Sequence, residues 1–352
     1  MLHSARCGGA LGRRSAPLAR VARHVGAPAP ASSTAARGGG AAPPVDDALQ
    51  GPARVFAASL NIILERYWAE SPTAARVVGA LYAAPGGWGE GQLFHDHLAF
   101  RTFGVPGLGI ESLGAALEAF GFSRRDDSVF VNKKLRATWY APPPLAPGGP
   151  PAYDLLPRVF VSELEVPKLS PAAQAVVRRY TDGLASLGPV AAWGAAVAGE
   201  RPWGPPREED YEALLAESEY AAWVLANGYA LNHTALSVHR LSPPPPGGLP
   251  AFNDSLEAAG VALNAEGGAV KASPDGLLLQ SSTVADLGEV AFAGGGRRRV
   301  ARAYLEFVER KPLPQHAHLP AGELPEARRR DGFEAASADN IFASTTLAGR
   351  GA

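Results

Sequence analysis

The chain has 352 residues, 46% of them hydrophobic, with a formal net charge of -1. That length can bury a sizeable core, and the charge balance argues against a nucleic-acid or anionic-membrane partner. No apolar run is long enough to cross a bilayer, and the only cysteine, Cys7, lies near the start, so a metal site in the folded part must be built from His, Asp and Glu.

Residues 1–48 contain Arg6, Arg13, Arg14, Arg20, Arg23 and Arg37, with no acidic residue before Asp46. Such a composition reads as an organellar transit peptide; its Ser, Ala and Pro content points to a plastid, with a mitochondrion as the alternative. Helical spacing of apolar residues follows over Val55–Tyr67 and Ala74–Tyr82. After Gly91 the period becomes two: His95, His97, Ala99, Arg101 and Phe103 alternate with Leu98 and Phe100, which predicts a strand with both histidines on one face. Ser112 then reads as the N-cap of a helix through Ala119, ended by Gly121. Extended runs are expected at 129–131, 137–140 and 159–166, and Ser170-Pro171 opens a helical stretch.

A further helix is expected from Glu208 to Asn227, stopping at Gly228. The earlier order then recurs: a strand carrying His233, a helix over Asp254–Leu263, and strands near 277–284 and 299–309 with Gly294-Gly295-Gly296 between them. The fold class is therefore α+β: two βαβββ-type units form a half-open mixed β-barrel around a metal site, with N-terminal helices and a helical insertion. Residues 49–345 are expected to be a single catalytic domain. Its parts are unit one at about 90–168, the insertion at about 169–228, unit two at about 229–312 and a closing segment at 313–345, before a tail at 346–352.

His97 and His233 lie on the first strands of the two units, and Glu306 lies on the last strand of the second. Two imidazoles and a carboxylate with open positions suit non-haem Fe(II), although a buried, hydrogen-bonded core histidine is the ordinary alternative for each imidazole alone. His95 competes for the first ligand position; the His316/His318 pair could form a metal clip, but its Pro-rich loop points to a solvated surface pair. Strand alternation puts Glu309 opposite Glu306, as a surface or interdomain ion-pair partner. Arg101 lies four residues from His97 on the same face, ~13 Å along the backbone, where it could grip a substrate carboxylate or form a structural salt bridge. Gln280, Ser281 and Ser282 place polar groups in an apolar strand and could orient a substrate or form a sheet's wet face.

Four segments carry a resemblance: His97-Leu98-Ala99-Phe100-Arg101, Asn232-His233-Thr234, Tyr304-Leu305-Glu306-Phe307-Val308-Glu309-Arg310, and residues 330–344. Over roughly residues 53–345 the chain resembles the 2-oxoadipate dioxygenase/decarboxylase family, also called hydroxyglutarate synthase, whose plant members are plastid proteins. The Tyr304–Arg310 stretch also resembles the iron-ligand strand of 4-hydroxyphenylpyruvate dioxygenases, relatives within the vicinal oxygen chelate fold. The resemblance implies Fe(II) held by His97, His233 and Glu306, a substrate-binding Arg101, and Ala336 against the substrate. It also implies conversion of 2-oxoadipate and O2 to 2-hydroxyglutarate and CO2 in lysine breakdown, the oxo acid serving as its own cosubstrate. The alternatives are another vicinal-oxygen-chelate metalloenzyme, such as an aryl-pyruvate dioxygenase, and a non-catalytic plastid protein that retains the fold. A cationic Arg101 suits a dicarboxylate better than an aryl-pyruvate.

Overall fold

In the computed structural model, residues 48–83, 93–241, 243–320 and 324–334 are described; the expected transit peptide up to residue 47, and Ala336, lie outside them. Two helices come first, α1 (Gly51–Glu70) and α2 (Pro72–Ala83). Phe56, Leu60, Ile63, Leu64 and Tyr67 form the buried stripe of α1, the i, i+3, i+4 spacing of an amphipathic helix. Pro72 starts α2 in a first-turn position that needs no backbone donor.

Unit one is β1 (His95–Phe103), α3 (Gly109–Ala119), β2 (Ser123–Phe130), β3 (Leu135–Ala141) and β4 (Arg158–Leu164). Four helices follow: α4 (Pro171–Thr181), α5 (Pro189–Ala198), α6 (Glu208–Glu217) and α7 (Glu219–Asn227). Unit two comprises β5 (His233–Ser237), α8 (Gly248–Ala258), β6 (Lys271–Ala272), β7 (Leu278–Ser282) and β10 (Tyr304–Arg310). Before β10, β8 (Leu287–Ala291) and β9 (Arg297–Ala301) form a separate hairpin.

The main sheet has the order β2-β3-β4-β1-β5-β10-β7-β6 and curls into a half-barrel. In each unit the first strand pairs in parallel with the last, β1 with β4 and β5 with β10. The two first strands pair antiparallel with each other at the centre. Both faces are covered. On the convex side Leu98, Phe100, Val161, Leu305 and Phe307 pack with Phe56 and Leu60 of α1, Leu117 of α3 and Phe252 of α8. On the concave side Ala99, Phe103, Trp139 and Phe160 pack with Ala222 and Trp223 of α7. All nine residues of β1 are consequently buried, so any polar group on that strand must find a partner.

Several elements differ from expectation for identifiable reasons. Helix α3 begins at Gly109, which leaves Ser112 inside it. The expected 208–227 helix is broken at Ser218, whose extended backbone lets its hydroxyl accept from the Ala221 N–H at 3.2 Å; serine competes for such local bonds better than it extends a helix. Helix α8 begins at Gly248, within a Pro- and Gly-rich stretch that reads as loop, and Pro250 falls in its tolerant first turn. Glu309 accepts from the Leu249 N–H at 2.7 Å, so it caps α8 rather than pairing with a surface cation. The expected 299–309 strand divides between β9 in the hairpin and β10 in the main sheet. No helix is long and apolar enough to cross a membrane among the described residues.

Candidate metal centre

Strand register brings distant residues into two rows on the concave face. In the first row Arg158 of β4, His97 of β1, Ala235 of β5, Glu306 of β10 and Ser282 of β7 lie side by side. In the second, Phe160, Ala99, His233 and Tyr304 do so. Because Ala235 is small, the side chains of His97 and Glu306 meet across it. The His97 and His233 Nε2 atoms are 3.3 Å apart; Glu306 Oε1 lies 3.0 Å from His233 Nε2 and Oε2 lies 3.4 Å from His97 Nε2. Donor atoms of all three buried residues fall within 4.8 Å of one another.

Each imidazole is held by the residue immediately before it. The Asp96 carboxylate accepts from His97 Nδ1 at 2.9 Å, and the Asn232 side-chain oxygen accepts from His233 Nδ1 at 2.9 Å. A carboxylate can only accept, so the His97 proton sits on Nδ1 and its Nε2 lone pair faces inward; the amide oxygen of Asn232 does the same for His233. With neutral rings, two lone pairs and a carboxylate therefore converge on one point, and Glu306 Oε2 is buried with no hydrogen-bond partner. This donor set suits a cation. Hard oxygen and imidazole nitrogen with no thiolate fit a divalent first-row metal.

The electrostatics follow from burial and these contacts. Burial pushes the His233 imidazole down to about 3, with Glu306 opposing and His97 reinforcing the shift. Burial also works against the His97 cation, but Asp96 and Glu306 outweigh it and hold the ring above its ordinary value. Burial would raise Glu306; His233 and His97 keep it below the usual carboxylate value. Asp96 is held well below that value, because Arg310 and Arg158 outweigh burial.

Asp96 reaches this position through a β-bulge: His95 pairs with Leu236 and His97 with Ala235, so two steps on β1 match one on β5. The bulge also separates the two histidines that strict alternation would put on one face. His95 bonds Thr234 Oγ1 at 2.6 Å and packs against Trp68, on the side opposite His233. Among the described residues His316 and His318 join no group of three metal-ligating side chains.

Arg101, 1% exposed, shares the concave face and has its guanidinium over the Tyr220 and Trp223 rings, 5.1 and 5.2 Å from their centroids. Its charge acts on His233 and Tyr304, so it borders the centre. On the other side Ser282 lies across from Glu306, with its hydroxyl buried and without a partner. Gln280 lies two residues along, beside Lys271 of β6, a buried ammonium that alternation did not single out. Ser281 faces the other way and donates to Asn253 on α8.

A closing segment at 324–334 supplies residues that sequence reasoning did not assign. Phe333 packs edge-on against the His97 ring at 4.8 Å and touches Trp139 and Phe160. Arg158 Nε donates to Asp331 at 2.8 Å, and Arg310 Nη1 donates to the carbonyls of Arg330 and Gly332, both at 2.9 Å. Glu326 accepts from His239 at 2.9 Å. The one sequence signal was an acidic and an aromatic residue in a segment that reads as packed.

Residues 65–319 match the family described as 2-oxoadipate dioxygenase/decarboxylase. The chain is 47% identical over 256 residues to the chloroplastic 2-oxoadipate dioxygenase/decarboxylase of Arabidopsis thaliana, an alignment covering 72% of this chain and 68% of that one. It is 42% identical over 339 residues to the chloroplastic/amyloplastic protein of that name from Oryza sativa subsp. japonica, covering 96% and 89%. The crystal structure of hydroxyglutarate synthase from Oryza sativa in complex with 2-oxoadipate superposes with a TM-score of 0.76 at 41% identity, covering 90% of this chain and 99% of that one.

Proposed function

The chain belongs to the 2-oxoadipate dioxygenase/decarboxylase family, and from that premise we propose that it is a plastid Fe(II) enzyme converting 2-oxoadipate and O2 to 2-hydroxyglutarate and CO2. The observation that carries this reading is the convergence of three buried metal-ligating side chains, His97, His233 and Glu306, with ligand atoms within 4.8 Å of one another. These residues would hold the ion, which when bound supplies O2 activation and an anchor for the 2-oxo acid. The substrate is its own cosubstrate: CO2 leaves with the two oxygens of the carboxylate next to the keto group, and both atoms of O2 stay in the shortened acid, one in its new carboxylate and one in its hydroxyl. The step belongs to lysine breakdown, and residues 1–48 act as the plastid transit peptide.

The protein's own residues bind, orient and exclude water. Arg101 offers a fixed charge to the substrate carboxylate that lies away from the metal. Its cation–π contacts with the Tyr220 and Trp223 rings limit the rotamers it must give up on binding. Gln280 and Ser282 orient the oxo-acid end from the opposite wall. Phe333, with Trp139 and Phe160, covers the His97 side with apolar surface that keeps bulk water from the reacting atoms.

The test is anaerobic reconstitution with Fe(II), followed by O2 uptake on 2-oxoadipate, 2-oxoglutarate and 4-hydroxyphenylpyruvate. Fastest uptake on 2-oxoadipate, with one CO2 and one 2-hydroxyglutarate per O2, is expected. Turnover confined to the aromatic oxo acid would overturn the substrate assignment.

A further inference from the structure

Asp96 is outside the ligand trio, yet its charge is wholly buried and contacted from three directions. It accepts from His97 Nδ1 at 2.9 Å, from Arg310 Nε at 2.6 Å and Nη2 at 2.9 Å, and it lies 3.4 Å from Arg158 Nη1. Both arginines also hold the closing segment. Arg310 Nη1 bonds the Arg330 and Gly332 carbonyls; Arg158 Nε bonds Asp331, whose other oxygen accepts from Tyr153 at 2.5 Å. One carboxylate thus joins the inner imidazole to residues 330–332 through two guanidiniums.

We propose that Asp96 is a positioning residue for the metal centre, and that through Arg158 and Arg310 it couples metal affinity to the docking of residues 329–333. The inference rests on the reading of His97 as a metal ligand. The Arg158–Asp96 contact is long at 3.4 Å while the Arg158–Asp331 bond is short at 2.8 Å, so Asp331 draws this guanidinium away from Asp96. Without Asp331, Arg158 keeps Glu326 Oε1 at 3.6 Å and the Tyr153 ring, and its Nη1 shifts toward Asp96 Oδ2, turning the carboxylate whose Oδ1 holds His97 Nδ1. The imidazole then loses the acceptor that fixes its tautomer and raises its basicity, a type of loss that typically costs 10–100-fold in metal affinity. Coupling of this kind is reciprocal, so a bound metal must also steady the segment.

Replacing Asp96 itself strands two buried arginines and risks the fold, so the decisive variant is at the far end of the relay. Co(II) is titrated into the metal-free full chain and into its Asp331→Asn and Asp331→Glu variants, with the visible Co(II) bands recorded. Amide exchange of residues 326–333 is measured with and without the metal. The expected result is Co(II) binding weakened roughly tenfold in Asp331→Asn, with altered bands, partial recovery in Asp331→Glu, and metal-slowed exchange of 326–333 in the wild type. Wild-type affinity in Asp331→Asn, or exchange that ignores the metal, overturns the coupling. Failure of the wild type to bind Co(II) would instead remove the metal-centre reading beneath it.

Discussion

At the residue scale the centre depends on tautomers as much as on ligand identity. Asp96 and Asn232 each hold the Nδ1 of the next residue, so both Nε2 lone pairs point at Glu306. Glu306→Ala or His233→Ala is expected to leave a folded protein that no longer retains metal through gel filtration, as read by elemental analysis. For Arg101, a buried charge-assisted pair is worth about 1.5–3 kcal/mol. Arg101→Met should therefore lower kcat/KM for 2-oxoadipate by roughly 10–150-fold and leave 2-oxohexanoate, which lacks the far carboxylate, nearly unaffected; an equal loss on both would contradict the assigned contact. His97, His233 and Glu306 were legible because imidazoles and a carboxylate stand out on apolar strands. Asp96 was not, because alternation sends it to the opposite face and only the bulge at His95–His97 turns it inward.

At the element scale the βαβββ repeat could be read from the order of periods along the chain, with similar patterns around His97 and His233. The pairing could not: local sequence does not say that β1 and β5 meet antiparallel at the centre, or that β8 and β9 leave the sheet. Helix ends were missed where local chemistry was ambiguous. Ser218 between two glutamates reads as helix interior, yet it ends α6 and caps α7. Ser218→Ala should cost about 1 kcal/mol, and Ser218→Asp, which keeps a capping oxygen, should recover most of it in denaturant titration. Loss of stability in both variants to the same extent would show that the cap contributes little. Gly228 behaves differently: its φ is +61°, and a Cβ there would stand 2.5 Å from the Arg201 Cα. The glycine lets the insertion turn back tightly into β5 and so fixes where His233 begins.

At the scale of the whole molecule, the sheet carries the candidate ligands and the closing segment packs over them, with buried ion pairs joining the two. Burial would raise the Glu326 carboxyl, but His239 and then Arg158 hold it down to about 2, against an ordinary value of 4.5. A carboxyl depressed by folding stabilises the protein above its unfolded value; that stability is lost as pH falls from about 4.5 toward 2. The contribution is about 3 kcal/mol. Glu326→Gln should accordingly be less stable than wild type at pH 7 and converge with it near pH 2, as read by urea midpoints. Parallel curves for the two proteins across that range would show that Glu326 does not drive the acid limb.

Anomalous X-ray scattering at the iron edge, from crystals of the Fe(II)-loaded protein, tests the proposed metal centre most directly. A single peak is predicted among His97 Nε2, His233 Nε2 and the Glu306 carboxylate, about 2–2.2 Å from each. A peak placed elsewhere, or one that omits any of the three, would contradict it.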